Sequence, residues 1–268
     1  MNKIYLNEFY NFIENYNNSS NIKLKIDKSH GFDHGIQILN HTINALKYYN
    51  KKISRREKLL VKLAALLHDI DDSKYFPNNK NFENARYILN EVNKKQIINS
   101  AEAINSAVLN ESEINKIIKI ISWVSCSKNG NTIPTECKNN EYLLYPRYAD
   151  RLESLGLIGL ERTLDYAIHV NNPICIKKEG NKDITIEEIY TKFATIERAN
   201  NYSGVSASMI DHFYDKLLRL GKYPIRNKYF DAICKIRQKP LEDIILYFEQ
   251  NGNISEEYIR NYIKYNLY

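Results

Sequence analysis

The chain has 268 residues, of which 43% are hydrophobic and 26% charged, enough to bury a sizeable core and the balance of a soluble globular protein rather than a disordered one. A net charge of +6 favours anionic small molecules or nucleic acid over a cationic partner, but no run of like charge forms a basic arm. The four cysteines are widely spaced without a CxxC pair, which excludes a disulfide-stapled fold and argues against structural zinc; no apolar run approaches the roughly 18 residues of a membrane span.

The opening residues carry acids and amides where a signal peptide would be apolar, so a cytoplasmic protein without membrane attachment is expected. From there the apolar spacing is helical almost throughout. "LNEFYNFIENY" places Leu6, Phe9, Tyr10, Phe12 and Ile13 on one stripe, and "HGIQILNHTINALKYY" does the same with Ile36, Leu39, Ile43, Leu46 and Tyr49. "SRREKLLVKLAALLH" begins with Ser54 and has Glu57 three residues on, the spacing of a capping box. "FENARYILNEV", "EINKIIKIISWV", "YADRLESLGLIGLERTLDYAI", "ITIEEIYTKFATIERAN", "ASMIDHFYDKLLRL" and "LEDIILYFEQ" predict further helices. Gly, Pro and Asn punctuate the loops "DSKYFPNNKN", "SKNGNTIPTECKNNE", "NNPICIKKEGNKD" and "LGKYPIRNK". The expected fold is all-α: an N-terminal helix over 1–21, a helical core over 22–220 and a helical extension over 221–268.

"LAALLHDIDD" (63–72) is an apolar helix that breaks into an imidazole and three acids. Acids at a helix C-terminus oppose the macrodipole, so something other than helix stability has to hold them. A divalent cation would do so. His68 and Asp69 are adjacent and reach one point only near a helix end; His34 and Asp150, polar interruptions of other helices, complete a set of two imidazoles and two carboxylates. That mixture suits Mn2+, Fe2+, Co2+, Ni2+ or Mg2+, with about two positions left for water and substrate.

"SHGFDH", "LAALLHDIDDSKY" and "YPRYADRLESLGLIGLERTL" together resemble the ordered signature of the HD-domain phosphohydrolase superfamily. "NYSGVSASMIDHFYDKLLRL" is similar to the C-terminal signature of a bacterial and fungal branch that includes nucleotide pyrophosphohydrolases. The resemblance spans about residues 22–245. It implies a single-metal HD-domain helical bundle with His34, His68, Asp69 and Asp150 as ligands and Mn2+ as the first choice of metal. None of the six histidines lies between His68 and Asp150, where dinuclear relatives place extra ligands, so one metal is expected and the oxygenase reading falls away.

In such a site the metal activates a bound water and polarises the phosphoryl oxygen under attack. Asp72, three residues after Asp69 and so on a neighbouring helical position, is the candidate for moving the proton, with Lys74 beside it. His30, Lys128, Arg147 and Arg151 are candidate substrate contacts; Arg151 is alternatively an orienting residue working with Glu153. The expected partner is a small phosphorylated molecule, a nucleotide by resemblance, with no stable nucleic-acid complex and with a homodimer left open. The expected reaction releases pyrophosphate from a nucleoside triphosphate. A nucleoside 5′-monophosphatase and a non-catalytic nucleotide or metal sensor are the alternatives.

Overall fold

A computed structural model describes residues 3–20, 22, 24–27, 30–99, 108–222 and 226–267. Among them every regular element is helical, as the apolar spacing predicts, and no strand occurs. No helix among them is long and apolar enough to cross a membrane. The chain divides into two compact units: Met1–Asn129 with Ile133–Ala149, and Gly130–Thr132 with Asp150–Tyr268.

The first unit begins with α1 (Lys3–Asn17) and α2 (Phe32–Lys47), followed by α3 (Arg55–Leu67), α4 (Glu83–Asn99) and α5 (Glu111–Ser122). α3 is its apolar centre, with Leu60, Val61, Leu63, Ala64, Ala65, Leu66 and Leu67 buried, and it packs against both α2 and α5, while α1 packs against α4. The predicted capping box opens α3: the Ser54 hydroxyl accepts the Glu57 N–H at 3.0 Å and the Glu57 carboxylate accepts the Ser54 N–H at 3.4 Å. Asn110 and Glu113 repeat the device at the start of α5, at 3.0 and 2.9 Å. Arg56 then clamps the two helix starts together, its Nε and Nη2 on the two Glu113 oxygens at 2.5 and 2.6 Å. α6 (Cys126–Asn129) is a single turn, and α7 (Tyr145–Glu153) runs as one helix through the division between the units.

The second unit contains α8 (Gly156–His169), α9 (Ile186–Lys192) and α10 (Ile196–Asn200). A continuous stretch follows, made of α11 (Met209–His212), a π-helical turn (Phe213–Leu217) and α12 (Leu218–Leu220). α13 (Lys228–Asn251) and α14 (Glu256–Asn266) close the chain, and α8 packs against both of them. Two stretches expected as single helices are divided. Gly156, with φ 78°, separates α7 from α8, and Thr195 starts α10 afresh by accepting the Arg198 N–H at 3.0 Å. α13 is longer than the expected 241–250, because the helix continues upstream through Pro240. Asn227 caps it, accepting the Tyr229 and Phe230 N–H groups at 3.0 and 3.3 Å, and Phe230 and Cys234 are buried on the same helix as Leu241 and Ile244. That burial outweighs the roughly 3 kcal/mol that an interior proline costs a helix. The loop expected over 220–228 includes 223–225, which lie outside the described residues.

Candidate metal centre

α3 ends at Leu67, and His68 is its C-cap, still in the right-handed helical region at φ −60° and ψ −31°. The His68 Nδ1 lies 2.9 Å from the Ala65 carbonyl oxygen. A carbonyl only accepts, so Nδ1 carries the proton and Nε2 keeps its lone pair for whatever faces it. Asp69 follows in the turn, its carboxylate oxygens 3.3 Å from His68 Nε2 and 3.6 Å from His34 Nε2. The two imidazole rings have centroids 5.1 Å apart and both residues are buried. Gly35 permits this approach of α2 to α3. A Cβ there would stand 2.7 Å from the Phe9 ring and 2.8 Å from the Leu66 carbonyl oxygen.

Asp150 follows Ala149 on α7 and is therefore carried by the same helix as the last residues of the first unit. One ligand atom each from His34, His68 and Asp150 lie within 4.8 Å of one another. Three of the four residues expected as ligands, His34, His68 and Asp150, thus come together from α2, the end of α3 and α7, and Asp69 lies beside both histidines. Their donors fit a divalent cation: ring nitrogens and carboxylate oxygens together, with one imidazole oriented through its other nitrogen.

Around this group, several expected residues have partners that sequence reasoning did not supply. Asp72 was expected on a helical position; instead it lies in the turn beyond α3, because the helix has already ended. Its N–H reaches the Asp69 carbonyl at 3.0 Å, and its carboxylate accepts the Lys74 N–H at 2.8 Å. The Lys74 ammonium pairs with Asp27 at 2.9 Å and stands over the Tyr75 ring at 5.0 Å. Asp27 also accepts the Tyr75 hydroxyl at 2.9 Å, and the His30 Nδ1 lies 3.1 Å from its other oxygen. The His30 ring centroid is 6.4 Å from that of His34, so Asp27 gathers a lysine, a tyrosine and a histidine next to the centre. The backbone on either side of Ile26 is pinned to α1, whose Asn17 amide pairs with the Ile26 N–H and carbonyl at 2.8 and 3.2 Å.

Asp71, the remaining acid of the opening motif, accepts the Asn84 and Ala85 N–H groups at 2.9 Å each and the Asn79 side-chain amide. Burial pushes its carboxyl up, against the pull of those three donors. Arg147 and Arg151 are fully buried. The Arg147 Nε donates to the Trp123 carbonyl at 2.6 Å, bracing α7 on the end of α5. The Arg151 Nη1 donates to Asn131 Oδ1 at 2.7 Å and its Nη2 to the Gly130 carbonyl, while Glu153 accepts Arg237 Nη1 at 2.6 Å. Lys128 is exposed on α6, and no contact among the described residues carries it to the histidines.

No family model matches the chain. It is 41% identical over 225 residues to the uncharacterised protein L803 of Acanthamoeba polyphaga mimivirus, a match that covers 82% of this chain and 88% of the relative. Solved structures resemble it along nearly the whole length. A Lactobacillus plantarum protein matches with a TM-score of 0.55 at 20% identity, covering 92% of this chain and 93% of the other. An HD-superfamily hydrolase from Bacillus thuringiensis matches with 0.52 at 18% identity, covering 91% and 94%. Bacillus subtilis YpgQ matches with 0.51 at 16% identity, again covering 91% and 94%. At these identities the likeness is one of fold. The chain belongs to the family of the mimivirus protein L803 and folds as an HD-domain protein, with the architecture of the Bacillus thuringiensis HD-superfamily hydrolase.

Proposed function

We propose that this protein is a metal-dependent hydrolase of phosphate esters or anhydrides, with one divalent cation held by His34, His68, Asp69 and Asp150, and that it cleaves a nucleoside triphosphate to the monophosphate and pyrophosphate. The observation that carries the reading is the convergence of His34, His68 and Asp150 within 4.8 Å, with Asp69 beside both histidines. A cation there, Mn2+ first among those suited to mixed nitrogen and oxygen donors, supplies a Lewis acid that lowers the pKa of a water and polarises a phosphoryl oxygen.

The chain's own residues do the rest. The Ala65 carbonyl holds His68 in the tautomer that presents Nε2. Asp72 has one oxygen engaged by the Lys74 N–H; the other takes the proton of the attacking water and returns it to the departing group as the P–O bond breaks. His30 and Lys74, both held by Asp27, face the phosphate chain as a hydrogen-bond donor and a cation. Arg147 and Arg151 act by bracing the helix that bears Asp150, and Lys128 attracts the anion from the surface.

The test is product analysis. Metal-stripped protein is supplied with Mn2+ and a panel of deoxynucleoside mono- and triphosphates, and phosphate and pyrophosphate are quantified separately. The expected result is pyrophosphate that appears only with metal and is abolished by Asp69→Ala. Orthophosphate from monophosphates would instead make the protein a 5′-nucleotidase. Tight nucleotide binding without turnover under any divalent metal would replace the enzyme by a sensor.

A further inference from the structure

We infer that Asp71 is a positioning residue of the metal centre, through which the first turn of α4 holds the His68–Asp69 turn in place. The inference rests on the metal reading above. His68 is the C-cap of α3 and Asp69 follows in the turn beyond the end of the helix. An acid at that end of α3 has the wrong sign for its dipole, but Asp71 faces the N-terminus of α4, where the sign is right. Its two oxygens take the Asn84 and Ala85 N–H groups at 2.9 Å each, and the Asn79 amide adds a third donor. The tie is returned one residue earlier: the Asn84 Nδ2 donates to the Ile70 carbonyl at 3.0 Å. Residues 70 and 71 are therefore both fastened to residues 84 and 85, directly after the ligand Asp69.

α4 is a firm anchor, since Ala85, Ile88, Leu89 and Val92 are almost completely buried. The chain also bends sharply to enter it. Phe82 adopts φ 55°, the left-handed region that a bulky residue avoids. Such a conformation persists only where surrounding contacts impose it, and here it lies two residues before the first of the two N–H groups that Asp71 accepts. No step of the proposed hydrolysis uses Asp71. Its contribution is to the geometry of its neighbours.

The deciding measurement is the Mn2+ affinity of the metal-stripped full chain, read as free Mn2+ by electron paramagnetic resonance. It compares the wild type with Asp71→Ala, Asp71→Asn and Asn84→Ala; Ser54→Ala, at the opposite end of α3, serves as a variant that loosens the helix alone. Asp71→Ala is expected to weaken Mn2+ binding about tenfold or more. Asn84→Ala should weaken it less but in the same direction, and Ser54→Ala should leave it unchanged while lowering Tm. Unchanged affinity in folded Asp71→Ala overturns the inference. If that variant fails to fold, unchanged affinity in both Asp71→Asn and Asn84→Ala overturns it. A wild-type chain that binds no Mn2+ overturns the metal reading instead, and this inference with it.

Discussion

At Gly35 the absence of a single methyl group sets the distance between two imidazoles. Any larger residue must push Leu66 or Phe9 away, and Leu66 lies two residues before His68. Gly35→Ala is therefore expected to cost about 1–3 kcal/mol of stability, the usual range for overpacking, and to reduce metal-dependent turnover as well. Urea unfolding alongside the phosphate assay checks both, and a variant equal to the wild type in each would show that the approach of α2 to α3 is slack. The residues that gather there stood out in the sequence because His34, His68, Asp69 and Asp150 interrupt apolar helices and because their order resembles a known signature. Asp27 gave no such signal, and Asp71 stood out only as one of three acids at the wrong end of a helix, with nothing to say what holds it. Asp27 meets Lys74 across 47 residues and Asp71 meets Ala85 across 14, so neither pairing has a local pattern. Asp72 was misplaced for a related reason: an apolar stripe says which face of α3 is buried, not that the helix stops at Leu67.

The elements themselves follow closely from local chemistry where a cap or a stripe marks them. Ser54 with Glu57 announced α3, and the apolar run after it is the best-buried helix of the first unit. The helix expected over 241–250 left out the first half of α13, whose buried face continues on both sides of Pro240. The end of α13 is fixed by a different device. Gly252 sits at φ 70°, its N–H bonded to the Phe248 carbonyl, and its own carbonyl accepts the Lys178 N–H at 3.0 Å. Below that contact the Lys178 ammonium pairs with both oxygens of the buried Glu249, at 2.6 and 2.7 Å, over the rings of Phe193 and Phe248. A Cβ at Gly252 would stand 2.0 Å from the Lys178 carbonyl oxygen, so Gly252→Ala must both strain the backbone and lift the 173–181 segment off α13. The expected loss is more than about 1 kcal/mol, seen as a lower urea midpoint, with the Mn2+ affinity of the first unit's histidines unaffected. An unchanged midpoint would mean that the segment closes on α13 without needing the glycine.

On the scale of the molecule, the two units carry acid-sensitive groups that titrate in different windows. In the second unit the His212 imidazole is pushed down to about 4, first by burial and then by the Lys216 charge, with Asp215 opposing. Its ring lies against Tyr202 at 5.4 Å, where a proton would be poorly solvated. The folded value lies below the ordinary 6.5, so the unfolded chain takes up the proton first. The stability due to neutral His212 is thus complete above pH 6.5 and drains away as pH falls toward 4. In the first unit the Tyr142 hydroxyl holds the Glu57 carboxyl below its ordinary 4.5, and Arg56 does the same for Glu113. Those contributions are present above pH 4.5 and are lost only as pH drops through the lowered values. Acidification from pH 7 to 5 should therefore loosen the second unit by about 1–2 kcal/mol through His212, while Glu57 and Glu113 keep their contributions over the same range. Hydrogen exchange followed by mass spectrometry reads the two separately: protection in α8 and α13 should fall over that range while α3 and α5 keep theirs. In His212→Gln the slope should flatten, because glutamine carries no proton to gain. Equal pH slopes in the variant and the wild type would remove His212 as the cause, and parallel loss of protection in α3 and α5 would show that acid acts on the chain as one cooperative body.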